Sequence, residues 1–290
     1  MSPVEKFRAA LEAERPLQIA GVINAYAARL AERAGFRALY VSGAGVANAS
    51  FGLPDLGFTT REQVAEDVRR IAGTTGLPIL VDVDTGWDDP AETARVMAAA
   101  GAAALQMEDQ VDMKRCGHRP NKELVSTEEM VGRIRAMRGA GSAVLILART
   151  DAVAGEGLAA AIARAKAYVE EGADYIFAEA LRTFEEYRAF VEAVEVPLLA
   201  NITEFGKTPL FTIEELGAMG VRMALYPLSA FRAMSLAAEK VYAEIRQDGT
   251  QRDVVGMMQT RNALYEVLDY HRYEREADER LRAQREAKSQ

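Results

Sequence analysis

The chain has 290 residues, 49% of them apolar, enough to bury one barrel-sized core, and a single domain over residues 1–290 is expected rather than two small ones. With 35 Lys and Arg against 43 Asp and Glu, the formal net charge of -8 excludes nucleic acid and an anionic membrane surface as principal partners, since both need a positive footprint. The single cysteine, Cys116, excludes an intrachain disulfide. A reducing, cytoplasmic setting is the expectation, because no signal-like segment and no run of roughly 18 uncharged apolar residues is found.

Taken in chain order, short apolar runs alternate with longer amphipathic ones. Strands are expected near 19–24, 37–42, 78–82, 103–108, 144–149, 174–179, 197–201 and 221–226. Their nearly continuous apolar character is that of parallel strands covered on both faces. Helix starts are marked by Thr60 with Gln63, Asp89 with Pro90 and Glu92, Ser126 with Glu129, Thr183 with Glu186, and Thr212 with Glu215. In each, the first side chain can accept a backbone N–H while a later side chain reaches back. Eight strand–cap–helix repeats favour an α/β fold closed as a (β/α)8 TIM-type barrel over an open doubly wound sheet, and no Gly-x-Gly-x-x-Gly follows the first strand.

Beyond the eighth strand, Phe231, Met234, Ala238, Val241 and Ile245 recur at helical spacing and predict a helix over 228–247, ended near Gly249. A second helical run is expected over 253–270, and a charged, Ala-rich, solvated or fraying helix over 271–290. A barrel needs one helix after its last strand, so these extra C-terminal helices (about 228–290) predict packing against a partner subunit.

In such a barrel, chemistry sits where apolar strands end in polar residues at their C-terminal ends. The third run ends Val81, Asp82, Val83, Asp84, Thr85, Gly86. A strand period of two would place Asp82 and Asp84 on one face, roughly 7 Å apart. At an effective dielectric of about 20 they would then repel by about 2 kcal/mol, a cost that a bound cation reverses. Hard oxygen ligands suit Mg²⁺, which keeps several waters. Turn capping is the alternative, although Asp89 and Pro90 already start the next helix. Glu108 and Asp109 end the fourth run and could complete the shell, Glu108 through water.

The segment Lys114, Arg115, Cys116, Gly117, His118, Arg119 surrounds the thiol with cations and has no apolar periodicity. A partly exposed thiol of lowered pKa, able to act as acid or base, fits this better than a small buried hydrophobe. Arg149 ends the fifth run, Glu179 the sixth, and Asn201, Thr203 and Glu204 follow the seventh; Arg232 and Arg261 come later. The turn Tyr40, Val41, Ser42, Gly43, Ala44, Gly45 offers N–H groups and a hydroxyl to a carboxylate, although a tight turn alone would explain its glycines.

These residues resemble the isocitrate lyase and phosphoenolpyruvate mutase superfamily, and within it the 2-methylisocitrate lyase branch, along essentially the whole chain. The most specific element is KRCGH at 114–118, followed by RPNK at 119–122. Others are YVSGAGVA at 40–47, GLPDLG at 52–57, ARTDA at 149–153, LANITEFG at 199–206, LYPLSAFRAM at 225–234 and MQTRNALYE at 258–266. The resemblance implies a Mg²⁺ site, with Mn²⁺ as a substitute, at Asp84 directly and Asp82 through water. It implies Cys116 as catalytic acid, Gly117 as a backbone contact and Tyr40 as the group handling the substrate hydroxyl proton. Ser42, Gly43 and Ala44 would hold one carboxylate; relatives commonly carry a second glycine where Ala44 stands. Arg149, Glu179, Asn201, Glu204, Arg232 and Arg261 would bind or orient the rest, with Arg149 also acting in catalysis.

The implied substrate is a small tricarboxylate, 2-methylisocitrate, cleaved to pyruvate and succinate as in the methylcitrate cycle of propionate catabolism. The implied assembly is a homotetramer, a dimer of helix-swapped dimers. Other readings are a 2,3-dimethylmalate lyase, a phosphonate-pathway enzyme, or a non-catalytic barrel that binds a dicarboxylate.

Overall fold

Each of the eight expected runs forms a strand in the computed structural model, which describes residues 1–112 and 122–288. They are β1 (Leu17–Gly21), β2 (Ala38–Val41), β3 (Ile79–Asp82), β4 (Ala104–Glu108), β5 (Leu145–Thr150), β6 (Tyr175–Ala178), β7 (Leu198–Asn201) and β8 (Met223–Tyr226). All neighbours pair in parallel and in sequence order, and β8 returns to β1 to close the barrel. Closure is tight: a Cβ on Gly21 would lie 1.8 Å from the Pro227 carbonyl oxygen, so only glycine fits where β1 passes the end of β8.

Side chains alternate along each strand, and the two sets part cleanly. Leu17, Ile19, Leu80, Ala104, Leu147, Phe177, Leu199 and Leu225 fill the barrel interior as one buried cluster. The intervening Leu39, Val81, Leu105, Ile146, Ile176 and Ala200 pack outward with helix residues such as Val64, Val68 and Ile71. Each fully buried Leu or Ile contributes roughly 1.5–3 kcal/mol relative to exposure.

The helix Pro3–Ala13, which the periodicity reading passed over, carries a reciprocal capping box between Ser2 and Glu5. Its Phe7 is fully buried in the interior cluster, with its ring 5.9 Å from that of Tyr175 at the start of β6. The N-terminal end of the barrel is thereby filled, leaving function to the opposite mouth.

The expected helix starts hold. Thr60 with Gln63 and Thr212 with Glu215 form full capping boxes, and Asp89 accepts from the N–H groups of Ala91 and Glu92. Ser126 and Thr183 accept from the N–H groups of Glu129 and Glu186, but the Glu186 carboxylate turns to the N–H of Arg182, 2.6 Å away, instead of completing a box.

By contact the chain divides into two compact units, Met1–Phe231 and Arg232–Gln290. The helix Ser229–Asp248 begins in the first and continues into the second, one residue later at each end than the 228–247 expected. The expected run over 253–270 is instead broken into a 3-10 turn, Arg252–Met257, and a helix, Arg261–Leu268. Thr260 restarts the helix by accepting from the N–H of Ala263, and Asp269 ends it in the left-handed conformation at φ 53° before Tyr270–Lys288 begins. Leu236, Tyr242 and Val255 of this unit are more than half exposed. No helix among the described residues is long and apolar enough to cross a membrane.

Candidate active site at the C-terminal mouth of the barrel

The inward parity that fills the barrel with apolar layers continues upward into polar side chains: Asp82 on β3, Gln106 and Glu108 on β4, Arg149 on β5, Glu179 after β6 and Asn201 on β7. These form the top layer of the interior, directly above Leu80, Ala104, Leu147, Phe177 and Leu199. Outward parity explains one departure from expectation. Asp109 turns away from the mouth, accepting from the N–H of Asp151 and the hydroxyl of Tyr168, each at 2.9 Å, so it does not complete a shell with Glu108. Burial raises its pKa above the usual carboxylate value.

Asp82 is held on both oxygens. Its Oδ1 accepts from the backbone N–H of Asp84 and from Gln106 Nε2, and its Oδ2 from the N–H of Gly43, all at 3.1 Å. The period-two spacing expected for Asp82 and Asp84 is corrected here, because β3 ends at Asp82 and Asp84 lies in a turn with φ 50°. The two carboxylates converge through that turn. A Cβ placed on Gly43 would sit 2.8 Å from Asp84 Oδ1 and 3.3 Å from Asp82 Oδ2. Glu108 joins them through its N–H, which donates to the Asp84 carbonyl at 2.8 Å.

Arg149 is the positive counterpart. Its Nε and Nη2 donate to the two oxygens of Asp151 at 2.9 and 3.2 Å, and its guanidinium lies 5.0 Å from the centre of the Phe177 ring. Glu108 and Glu179 approach it at 3.4 and 3.7 Å. Burial works against its charge, but Asp151, Glu108 and Glu179 prevail and raise its pKa well above the ordinary guanidinium value. Burial likewise works to raise Asp151, yet Arg149 and Lys122 hold its carboxyl below the usual range; Lys122 Nζ lies 2.6 Å from Asp151 Oδ1.

The remaining expected residues fall as follows. The Tyr40 hydroxyl donates to Gln106 Oε1 at 2.7 Å. Ser42 is buried at the start of the short helix Gly43–Gly45, which also carries Ala44, and the Gly43 N–H is given to Asp82. Asn201 Nδ2 donates to Glu179 Oε2 at 3.4 Å, Thr203 is buried just beyond, and Glu204 accepts from the Ser229 hydroxyl. Arg232 and Arg261 belong to the second unit. Cys116 and Gly117 lie outside the described residues. The chain on either side of 113–121 is anchored beside the mouth, where Gln110 pairs with Leu124 and Val111 N–H donates to the Glu123 carbonyl at 3.1 Å.

This mouth gathers the buried carboxylates Asp82, Asp84, Glu108, Asp151 and Glu179 around Arg149 and Lys122, a surplus of negative charge that a divalent cation would balance. The donor set is hard oxygen, as Mg²⁺ or Mn²⁺ requires. Glycine at 43 leaves open the position beside Asp84 and Asp82, and Asn201 Oδ1 is a buried acceptor with no donor among the described residues. The residues present therefore fit such an ion. Among the described residues, the acidic trio whose ligand atoms all lie within 4.8 Å of one another is Glu244, Asp248 and Asp253, in the second unit, and not a barrel trio. An ion at the mouth would accordingly draw much of its shell from water and substrate oxygens.

Residues 7–246 match the phosphoenolpyruvate phosphomutase family. The chain belongs to this family.

A relative named 2-methylisocitrate lyase, from Escherichia coli (strain K12), is 58% identical over 283 residues, covering 96% of each chain. Among solved structures, 2,3-dimethylmalate lyase, a member of the phosphoenolpyruvate mutase and isocitrate lyase superfamily, superposes with a TM-score of 0.86 at 33% identity over 94% of each chain. Phosphonopyruvate hydrolase in complex with oxalate and Mg²⁺ does so with a TM-score of 0.81 at 32% identity over 98% of each chain.

Within this phosphoenolpyruvate phosphomutase family member, three site residues escaped the reading of strand ends. Asp151 and Lys122 fix Arg149, and Gln106 links Tyr40 to Asp82. Gln106 carried a signal, as the one uncharged polar residue inside the buried strand Ala104–Glu108, two positions before Glu108 and hence on its face. Asp151 carried one too, standing one position beyond β5 within ARTDA, whereas Lys122 carried none that separates it from a surface charge.

Proposed function

We propose that the chain is a Mg²⁺-dependent carbon–carbon lyase that cleaves 2-methylisocitrate to pyruvate and succinate. One observation carries the reading: the paired carboxylates Asp82 and Asp84 and the buried Arg149 share one barrel mouth. Identity of 58% to a 2-methylisocitrate lyase over nearly the whole chain selects this substrate among those of the family.

Asp84 would hold the metal, with Asp82 and Glu108 contributing to its shell through water. When bound, Mg²⁺ supplies Lewis acidity and a template for the oxygens of the substrate's hydroxy acid, and Mn²⁺ substitutes for it. Tyr40, whose own O–H is given to Gln106, meets the C2 hydroxyl with its phenol oxygen and orients it, and the hydroxyl proton passes over it to solvent. As that proton leaves, the C2–C3 bond breaks, C2 becomes the ketone of pyruvate, and the bonding pair passes to C3 as a succinate carbanion. Arg149, clamped by Asp151, stands where a carboxylate gathers this charge, so little reorganisation is needed as it forms. Ser42, Gly43 and Ala44 hold one carboxylate, and Glu179, Asn201, Thr203, Glu204, Arg232 and Arg261 bind or orient the rest. Gly117 adds a backbone contact, and Cys116 delivers the proton to C3, completing succinate.

In this reading the whole chain is one functional domain in a cytoplasmic homotetramer, a dimer of dimers exchanging C-terminal helices. The exposed Leu236, Tyr242 and Val255 support a covering partner. The test is detection of pyruvate and succinate in equal amounts from 2-methylisocitrate, with and without Mg²⁺, beside isocitrate, 2,3-dimethylmalate and oxaloacetate. Turnover of 2,3-dimethylmalate in preference to 2-methylisocitrate would overturn the substrate.

A further inference from the structure

The polar core of the mouth contains a bridge that the reaction as described does not use. Gln106 is fully buried in β4, directly across the ladder from Asp82, with which it is in register. Its amide Nε2 donates to Asp82 Oδ1 at 3.1 Å, and its Oε1 accepts from the Tyr40 hydroxyl at 2.7 Å. The two ends of an amide are chemically unlike, and their neighbours decide which faces where. A carboxylate oxygen accepts only, so the NH₂ end must face Asp82; the reverse orientation would set two acceptors against each other at the same distance. The carbonyl end is then committed to Tyr40 and fixes that hydroxyl as a donor toward β4. The backbone N–H groups of Asp84 and Gly43 complete the grip on Asp82. Gln106 is thus the side chain in this grip that also touches the group proposed to meet the substrate hydroxyl.

The geometry points to Gln106 as a positioning residue that sets the orientation of the metal-side carboxylate of Asp82 and the hydroxyl of Tyr40 together. This rests on the reading of Asp82 and Asp84 as the metal site. Loss of a group that orients a metal-binding side chain typically costs ~10–100-fold in metal affinity or activity. Gln106→Met keeps the length and volume of the side chain and removes both hydrogen bonds. Gln106→Asn keeps an amide one methylene too short to span both partners, and serves where the Met variant does not fold.

The experiment measures Mn²⁺ dissociation constants by electron paramagnetic resonance on the full chain without substrate, together with kcat and KM. Expected are Mn²⁺ binding weakened ~10-fold or more in Gln106→Met or Gln106→Asn, unchanged Mn²⁺ binding in Tyr40→Phe, and lowered kcat in both. At saturating metal, the kcat loss of the double variant Tyr40→Phe with Gln106→Met should be less than the product of the two single losses, because part of each comes from the one Tyr40–Gln106 bond. Wild-type Mn²⁺ affinity in a folded Gln106 variant, or kcat losses that multiply in the double variant, overturn the inference alone. Absence of Mn²⁺ binding by the unsubstituted chain overturns the metal reading beneath it.

Discussion

At the scale of single residues, the mouth works by committing each charge to a partner before substrate arrives. Arg149 is the clearest case, forked onto Asp151, flanked by Glu108 and Glu179, and seated against the Phe177 ring. Lysine cannot reproduce that planar fork, so Arg149→Lys is expected to lower kcat by about 10-fold or more while circular dichroism stays native. Steady-state kinetics at saturating Mg²⁺ decides it. Gly43→Ala places a methyl group 2.8 Å from Asp84 Oδ1 and 3.3 Å from Asp82 Oδ2, and calorimetric titration should find Mg²⁺ binding weakened. Cys116→Ala is expected to leave fold and metal binding intact and to lower turnover by about 10²–10⁴, the usual worth of a positioned acid; near-normal turnover would sink its assignment.

At the scale of elements, the strands do two jobs with one periodicity. Lower inward positions bury Leu and Phe, upper inward positions present Asp82, Glu108 and Arg149, and outward positions hold the helices. That parity was legible in the strand runs, but where it stops was not. Asp84 reads as the next inward position of β3, yet the strand ends at Asp82 and a left-handed turn brings its carboxylate around. Asp109 reads as a neighbour of Glu108, and for the same reason of alternation it faces Tyr168 instead. The seam between β1 and β8 depends on an absent side chain. Gly21→Ala should lower stability by roughly 1–3 kcal/mol or more, read as a fall in the urea midpoint, since its methyl would overlap the Pro227 carbonyl.

At the scale of the whole molecule, a net charge of -8 coexists with a site proposed for a tricarboxylate. Arg149 and Lys122 do not reconcile the two alone, because five buried carboxylates share the mouth with them, so binding of the anion depends on a divalent ion there. Chelation should therefore abolish turnover and re-addition of Mg²⁺ restore it, while the far-ultraviolet spectrum stays unchanged because the core lies beneath the site. The apolar residues exposed on the second unit predict self-association, and a monomer by light scattering at assay concentration would remove the tetramer.

The sequence by itself determined the eight strands, their caps and the positions at which strands end in charge, because each follows from local periodicity and from hydrogen-bond needs of neighbouring backbone. It also carried the family through motifs such as KRCGH and ARTDA. Tertiary structure alone decided that Gln106 joins Tyr40 to Asp82, that Lys122 and Asp151 fix Arg149, and that Phe7 fills the far end of the barrel. Asp151 stands two residues from Arg149, but the other partners lie far apart along the chain. Barrel closure and register bring them within hydrogen-bonding distance, and local sequence encodes neither directly.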